Sequence, residues 1–378
     1  MIRRIAAICA VCVLASATAQ AQTAPLAPIP TSPRMHLGRP PTTGDYWFVV
    51  GGDNRAVARG APMPPTAGEI FTEIRLIHPA FVLWSGDTIY GTEETVREAR
   101  AEYRVFLQLA SRCEAPVFVA PGNHEIARRP EMAALFQRML GPLYGSFDWG
   151  ATHVIALNTE GPAHPREVTG SQLKWLTNDL NAHASAAHTF VFMHHPLFPT
   201  DPAEGFKDLA NRDALHQMFV RAGVHQVFSG HEHLYHASVH DGISYVISGG
   251  SGAPSDAAPE DGGFQHYLLV HVHGATVRWL VLQPWRLFAY PQPRSANGAR
   301  SVLLANYNLA DVPMVGELST ADIGRHYTVS AVSRYKGKVK TLPYTLAHPR
   351  IPGVIDVRVI VPGARPALIT ITPQRGGA

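Results

Sequence analysis

The 378-residue chain is poor in the features that mark most special classes of protein. It has three cysteines, and charged residues make up only 16% of it. Cys9 and Cys12 fall in an N-terminal segment read below as removed, which leaves Cys113. A lone cysteine forms no internal disulfide, so stability must come from a large core or from metal. No apolar run is long enough to span about 30 Å of hydrocarbon as a helix. No basic stripe or aromatic-interleaved cationic run is present, which argues against general nucleic-acid affinity. A hydrophobic fraction of 46% excludes a mainly disordered or fibrous chain.

The N-terminus has the form of an export signal. Arg3 and Arg4 give a positive start, Ile5–Ala17 is a small-residue apolar run, and Ala19-Gln20-Ala21 supplies a cleavage site. The expectation is a cleaved signal over 1–21 and a secreted or periplasmic mature protein with no transmembrane segment. Without Arg3 and Arg4 the balance is 30 basic against 29 acidic residues, a net of +1. The sequence carries no signal of oligomeric state.

Residues 22–44, rich in Pro and Ala, read as a tether or extended arm. From Tyr46 short apolar runs alternate with helical stretches, as in buried strands covered by helices. Tyr46–Val50, Phe81–Trp84, Val117–Ala120, Thr189–Met193 and Val224–Phe228 read as strands. Thr66–Ile77, Glu93–Arg112, Glu131–Leu140, Ser171–His183 and Arg212–Ala222 read as helices. Ile243–Ser248, His266–Val272 and Thr276–Leu282 are further strands. The expected organisation is an α/β domain over 45–285, a Pro/Gly/Arg-rich linker over 286–300, and a small all-β module over 301–378. Lys336, Lys338 and Lys340 alternate as lysines that guard a strand edge do.

What the chain has in abundance is histidine, 20 residues of it, the commonest metal ligand and the side chain that titrates near neutrality. Several of them sit in polar clusters directly after strands: Gly52-Asp53, Gly86-Asp87, Gly122-Asn123-His124-Glu125, His194-His195-Pro196 and Gly230-His231-Glu232-His233. In α/β sheets, ligands collect where such strand ends converge. Carboxylate, amide and imidazole donors without thiolate suit Zn, Mn or Fe. His266, His271 and His273 lie on strands near a hairpin and read as exposed or internally satisfied.

In order and spacing this series resembles the calcineurin-like metallophosphoesterase superfamily over about 45–285. Asp87–Tyr90 as G-D-x-x-Y and Gly230–Tyr235 as G-H-x-H-x-Y are similar to purple acid phosphatases. The resemblance implies a four-layer α/β/β/α sandwich, a phosphate-ester small-molecule substrate and two metal ions drawn from Fe, Zn or Mn. It assigns Asp53, Asp87 and His233 to the first ion, with Asp87 bridging, and Asn123, His194 and His231 to the second. Hydrolysis would proceed by attack of metal-bound hydroxide, with His124 beside the substrate assisting departure of the alcohol. Three positions depart from the pattern. The superfamily's D-x-H reads Asp53-Asn54-Arg55, so Tyr90 is the expected replacement ligand and Arg55, turned outward, a phosphate clamp. Asp201 to Asp213 lacks the downstream substrate histidines of purple acid phosphatases. His195 and His236 are the remaining substrate-facing candidates. The alternatives are a phosphodiesterase or nucleotide hydrolase on the same site, or an exported binding protein with a vestigial centre.

Overall fold

The computed structural model describes residues 26–30, 37–126, 128–161, 163–321, 326–347 and 353–374. The expected signal at 1–21 lies outside these. In chain order, β1 (Asp45–Gly51), α1 (Pro65–Ile77), β2 (Val82–Trp84), α2 (Val96–Ala110) and β3 (Val117–Val119) come first. Then follow α3 (Asn123–Ile126), α4 (Pro130–Met139), β4 (Gly145–Trp149), β5 (Thr152–Ala156), α5 (Gly170–Ala182), β6 (His188–Phe192), α6 (Leu209–Ala222) and β7 (Gln226–Ser229). The hairpin pairs β8 (Tyr235–His240) with β9 (Ile243–Ser248) and β10 (Tyr267–His273) with β11 (Thr276–Leu282) complete this part.

Two mixed sheets result. One has the order β11-β10-β1-β2-β3, the other β4-β5-β6-β7-β9-β8. Strand alternation divides their side chains. Phe48, Leu83, Phe118 and Val270 of the first sheet share one buried cluster with Phe147, Val154, Phe190, Phe228 and Val246 of the second. The opposite face of the first sheet, through Val49, Val82 and Val117, packs against Ile70, Ile74, Tyr103, Phe106 and Leu135 of α1, α2 and α4. The opposite face of the second packs through Ile155, Val191 and Val227 on Leu176, Leu180, Leu215 and Phe219 of α5 and α6.

Local sequence sets the helix ends. Expected over Glu93–Arg112, α2 starts at Val96 because Thr95 and Glu98 close a capping box ahead of it. Its last turn tightens into a 3-10 helix at Ser111–Cys113. Asp208 caps α6 through the Ala210 amide, and Gly223 ends the helix in the left-handed conformation.

The C-terminal part is all β, as expected, but it begins earlier and stands closer. The stretch 286–300 is not a linker, because β12 (Leu287–Pro291) pairs antiparallel with β13 (Arg300–Asn306). Its large apolar residues Leu287, Phe288 and Tyr290 outweigh the Pro and Gly around them. After β14 (Val312–Ser319) come β15 (Tyr327–Tyr335), β16 (Lys338–Thr341), β17 (Tyr344–Ala347), β18 (Val354–Val361) and β19 (Arg365–Pro373). They form the sheets β12-β13-β19-β15-β16 and β14-β18-β17. Lys336 and Gly337, both at positive φ, turn β15 into β16, an exposed edge strand that carries Lys338 and Lys340. Val302, Leu304, Met314 and Ile369 join the cluster that contains α1, so module and domain share a core. The joint is Glu73 on α1, fully buried, which accepts hydrogen bonds from the Arg286 and Leu287 amides (2.6 and 2.8 Å) and the Tyr267 hydroxyl (2.8 Å). Nor is the arm before β1 wholly free, since Leu26 and Ile29 are buried and their amides reach Ser146 and Val117 carbonyls.

Candidate metal centre

Five strand ends meet where the sequence series places its polar clusters. Asp53 follows β1, Asp87 follows β2, Asn123 and His124 open α3 after β3, His194 follows β6, and His231 and His233 follow β7. Asp53, Asp87 and His231 all hold positive φ (61°, 51° and 74°), a costly conformation that turns each side chain back over its strand. Glycines packed against them are needed for space. A Cβ on Gly122 would collide with Asp87 Oδ1, and one on Gly230 with Asp53 Oδ2.

One cluster gathers Asn123, His194, His231 and Asp87. Asn123 Oδ1 lies 2.8 Å from His194 Nε2 and 3.1 Å from His231 Nδ1. The two imidazole nitrogens are 3.2 Å apart, and Asp87 Oδ1 is 3.4 Å from His194 Nε2. Each ring is held from behind: His194 Nδ1 donates to the Ser85 carbonyl and His231 Nε2 to Glu204, both at 2.8 Å. The nitrogens left facing one another are therefore lone-pair acceptors, converging with an amide oxygen and a carboxylate. Such a group draws a positive charge. Burial works against charge on His194, but Asp87, Asp53 and Glu160 outweigh it and push the ring up to about 9. The donor set and its backing partners fit a borderline divalent cation.

The second cluster is Asp53, Asp87 and His233, whose ligand atoms lie within 4.8 Å of one another. His233 Nδ1 donates to the Pro254 carbonyl (2.8 Å), which leaves Nε2 toward Asp53 Oδ1 at 3.8 Å. Burial pushes Asp53 well above the usual carboxylate range. For Asp87 burial is outweighed by His194, His124 and Arg55, which bring it down to about 2. Two adjoining buried carboxyls split in this way because both cannot be charged without a cation between them. Three side chains fit an ion here too, beside one cation the chain already supplies. Arg55 does not turn outward: its Nε stands 3.5 Å from Asp87 Oδ2 and its guanidinium lines the cavity. The buried charge of Asp87 draws it in.

That cavity, about 410 Å³, is also lined by Asn123, His124, Thr200, Asp201, Glu204, His231, His233 and Asp256. Tyr90 is not among them. Its amide donates to Glu102 (2.6 Å), its carbonyl accepts from His124 Nδ1, and its ring sits tilted at 5.6 Å from the His124 ring. The turn at Gly91 thus brings the backbone carbonyl of Tyr90 to His124. His195 is buried under the site, bound through Nδ1 to Glu160, with its ring 3.8 Å from that of His231. His236, on β8, lines a neighbouring groove of about 590 Å³ that meets the cavity at Thr200, Leu234 and Ala257.

Residues 63–235 match the family model described as calcineurin-like phosphoesterase. This stretch is a calcineurin-like phosphoesterase domain. The serine/threonine-protein phosphatase CPPED1 of Danio rerio is 29% identical over 192 residues, 46% of this chain and 60% of that protein. Purple acid phosphatase 21 of Arabidopsis thaliana is 32% identical over 136 residues, 32% of this chain and 30% of that protein. The chain thus spans less than two thirds of the length of these relatives. A dimetal phosphatase structure from Danio rerio aligns at TM-score 0.45 and 14% identity, covering 63% of this chain and 99% of that one. No helix among the described residues is long and apolar enough to cross a membrane.

Within the phosphoesterase domain, two glutamates that sequence reasoning passed over hold the ligand loops in place. Glu125 accepts the Gly122 and Asp87 amides (2.7 and 2.9 Å), the Thr88 amide, and the Thr88 hydroxyl (2.7 Å). It ties the loop after β2 to the loop after β3. Glu232 likewise accepts the Thr200 and Asp201 amides (2.9 and 3.0 Å), joining the loops after β6 and β7. Both follow a histidine, as His124-Glu125 and His231-Glu232. The repeated His-Glu pair was the available signal.

Proposed function

We propose that the chain hydrolyses phosphate esters at a centre of two metal ions, with Asp87 shared between them. The observation that carries this is the convergence of Asn123 Oδ1, His194 Nε2 and His231 Nδ1 within 3.2 Å of one another. Ions held there would supply Lewis acidity and an activated water. The chain's own residues supply the rest. The Tyr90 carbonyl holds His124 by Nδ1, which leaves Nε2 on the cavity side, 3.9 Å from Asp87 Oδ2, where the imidazolium form gives its Nε2 proton to the leaving alkoxide and returns to the neutral ring. Arg55 offers its remaining guanidinium donors to a phosphate oxygen. The four-layer α/β/β/α reading, with helices outside two facing sheets, is supported by the three buried clusters.

The rim favours a second ester type. Asp201, Glu204 and Asp256 border the cavity, and acidic neighbours oppose a monoester dianion more than a diester monoanion. The deciding experiment is elemental analysis of the purified protein with rates on p-nitrophenyl phosphate and its bis-ester. Asp87→Asn and His231→Ala are expected to lose metal and at least 100-fold in rate. Fewer than one ion per chain together with unchanged rates in these variants would refute the reading. Metal without turnover on any ester would favour a binding protein. Export through residues 1–21 belongs to the same proposal. N-terminal sequencing of protein from an exporting host should begin at Gln22.

A further inference from the structure

The far end of the first sheet carries a group that phosphoester chemistry does not use. β1 starts at Asp45, and in the β1–β10 register Asp45 faces His273 while Trp47 faces His271. Period-2 alternation puts Asp45, His271 and His273 on one face. Asp45 Oδ1 is 2.7 Å from His271 Nε2 and Oδ2 is 3.1 Å from His273 Nδ1. The three ligand atoms lie within 4.8 Å of one another and open to solvent, with His273 70% exposed. The His271 ring is locked in plane by Trp47, stacked at 3.8 Å and 2°.

We propose that Asp45, His271 and His273 form a second, independent site for a borderline divalent cation, Zn²⁺ foremost. Two imidazoles and one carboxylate are a recurrent first-row donor set with room for water at the open positions. Tetrahedral zinc needs its ligand atoms roughly 3.3 Å apart; all three lie within 4.8 Å of one another, and the exposed carboxylate and His273 are free to adjust to that spacing. The platform is rigid because both strands are paired through their length. Arg278 on β11 stands opposite His271, yet among the described residues Asp45 pairs only with the two histidines. Asp45 and the catalytic strand end are separated by all of β1, roughly 20 Å at strand rise. The two sites therefore load separately.

The test is zinc equivalents per chain in the full-length protein after loading and desalting, for wild type, His271→Ala, His273→Gln and Asp87→Asn. Each histidine variant is expected to lose one equivalent relative to wild type and to keep wild-type p-nitrophenyl phosphate turnover. Asp87→Asn should lose catalytic zinc but keep this ion. With cobalt, the d–d absorption of the Asp87→Asn protein should disappear on adding His273→Gln. Equal zinc counts in wild type and both histidine variants would overturn the site, as would loss of turnover in step with the zinc.

Discussion

The candidate ligands were readable from sequence because each must be flanked by residues that let a chain reverse at a strand end. Gly122 and Gly230 have no room for a Cβ beside Asp87 and Asp53, so the glycine next to the ligand is part of the chemistry. Tyr90 shows where that reading stops. A motif names a residue, and it does not say whether the side chain or the backbone is used. Here it is the carbonyl of Tyr90 that touches the site, by fixing His124. Tyr90→Phe should therefore keep wild-type metal content and stay within about twofold of wild-type rate, an effect below 0.5 kcal/mol. The iron-loaded wild-type protein should lack a tyrosinate charge-transfer band. A visible band abolished by Tyr90→Phe would put the phenol back among the ligands. Glu125 and Glu232 escaped notice for a related reason: they bind loop amides rather than substrate or ion, and no residue type announces that task.

Among the elements, the continuous apolar strands were found, the hairpin strands β9, β10 and β11 included, while β4, β5, β8 and β12 were missed. The buried runs of β2, β3 and β6 are continuous and apolar. β8 instead reads Tyr-His-Ala-Ser-Val-His at the edge of its sheet, with only partial burial to mark it. β12 hid between prolines. Its attachment to α1 through Glu73 has a thermodynamic signature. Burial raises Glu73 to about 7, against the lowering effect of its hydrogen bonds from Leu287, Arg286 and Tyr267. A carboxyl raised in the folded state keeps its proton while the unfolded chain loses one above pH 4.5. Stability contributed there is whole below 4.5 and declines as pH rises to about 7, by roughly 3 kcal/mol. Glu73→Gln, which keeps an acceptor for both amides, should flatten that slope. Urea melts at pH 5 and pH 7.5 give the comparison, and an unchanged slope would remove Glu73 as its source.

For the whole molecule, the sequence divides the chain at a linker that the fold does not contain. Pro and Gly mark both flexible connections and tight turns, and only pairing partners distant in sequence distinguish them. Ile70 and Ile74 of α1 are in the same buried cluster as Val302, Leu304 and Ile369. A fragment 37–285 would expose apolar surface on α1, at roughly 1.5–3 kcal/mol for each large side chain fully uncovered. It is expected to bind a hydrophobic dye and to lose the cooperative melt of the full chain. A cooperative melt at the parent temperature would show the domain to be self-sufficient. The left-handed backbone at Asp53, Asp87 and His231 bears on when the centre is born. These conformations are scarce in an unfolded chain, and the ligands span positions 53 to 233, so distant segments must meet before the site exists. The ligand set that the proposed ions require is therefore complete only in the folded chain.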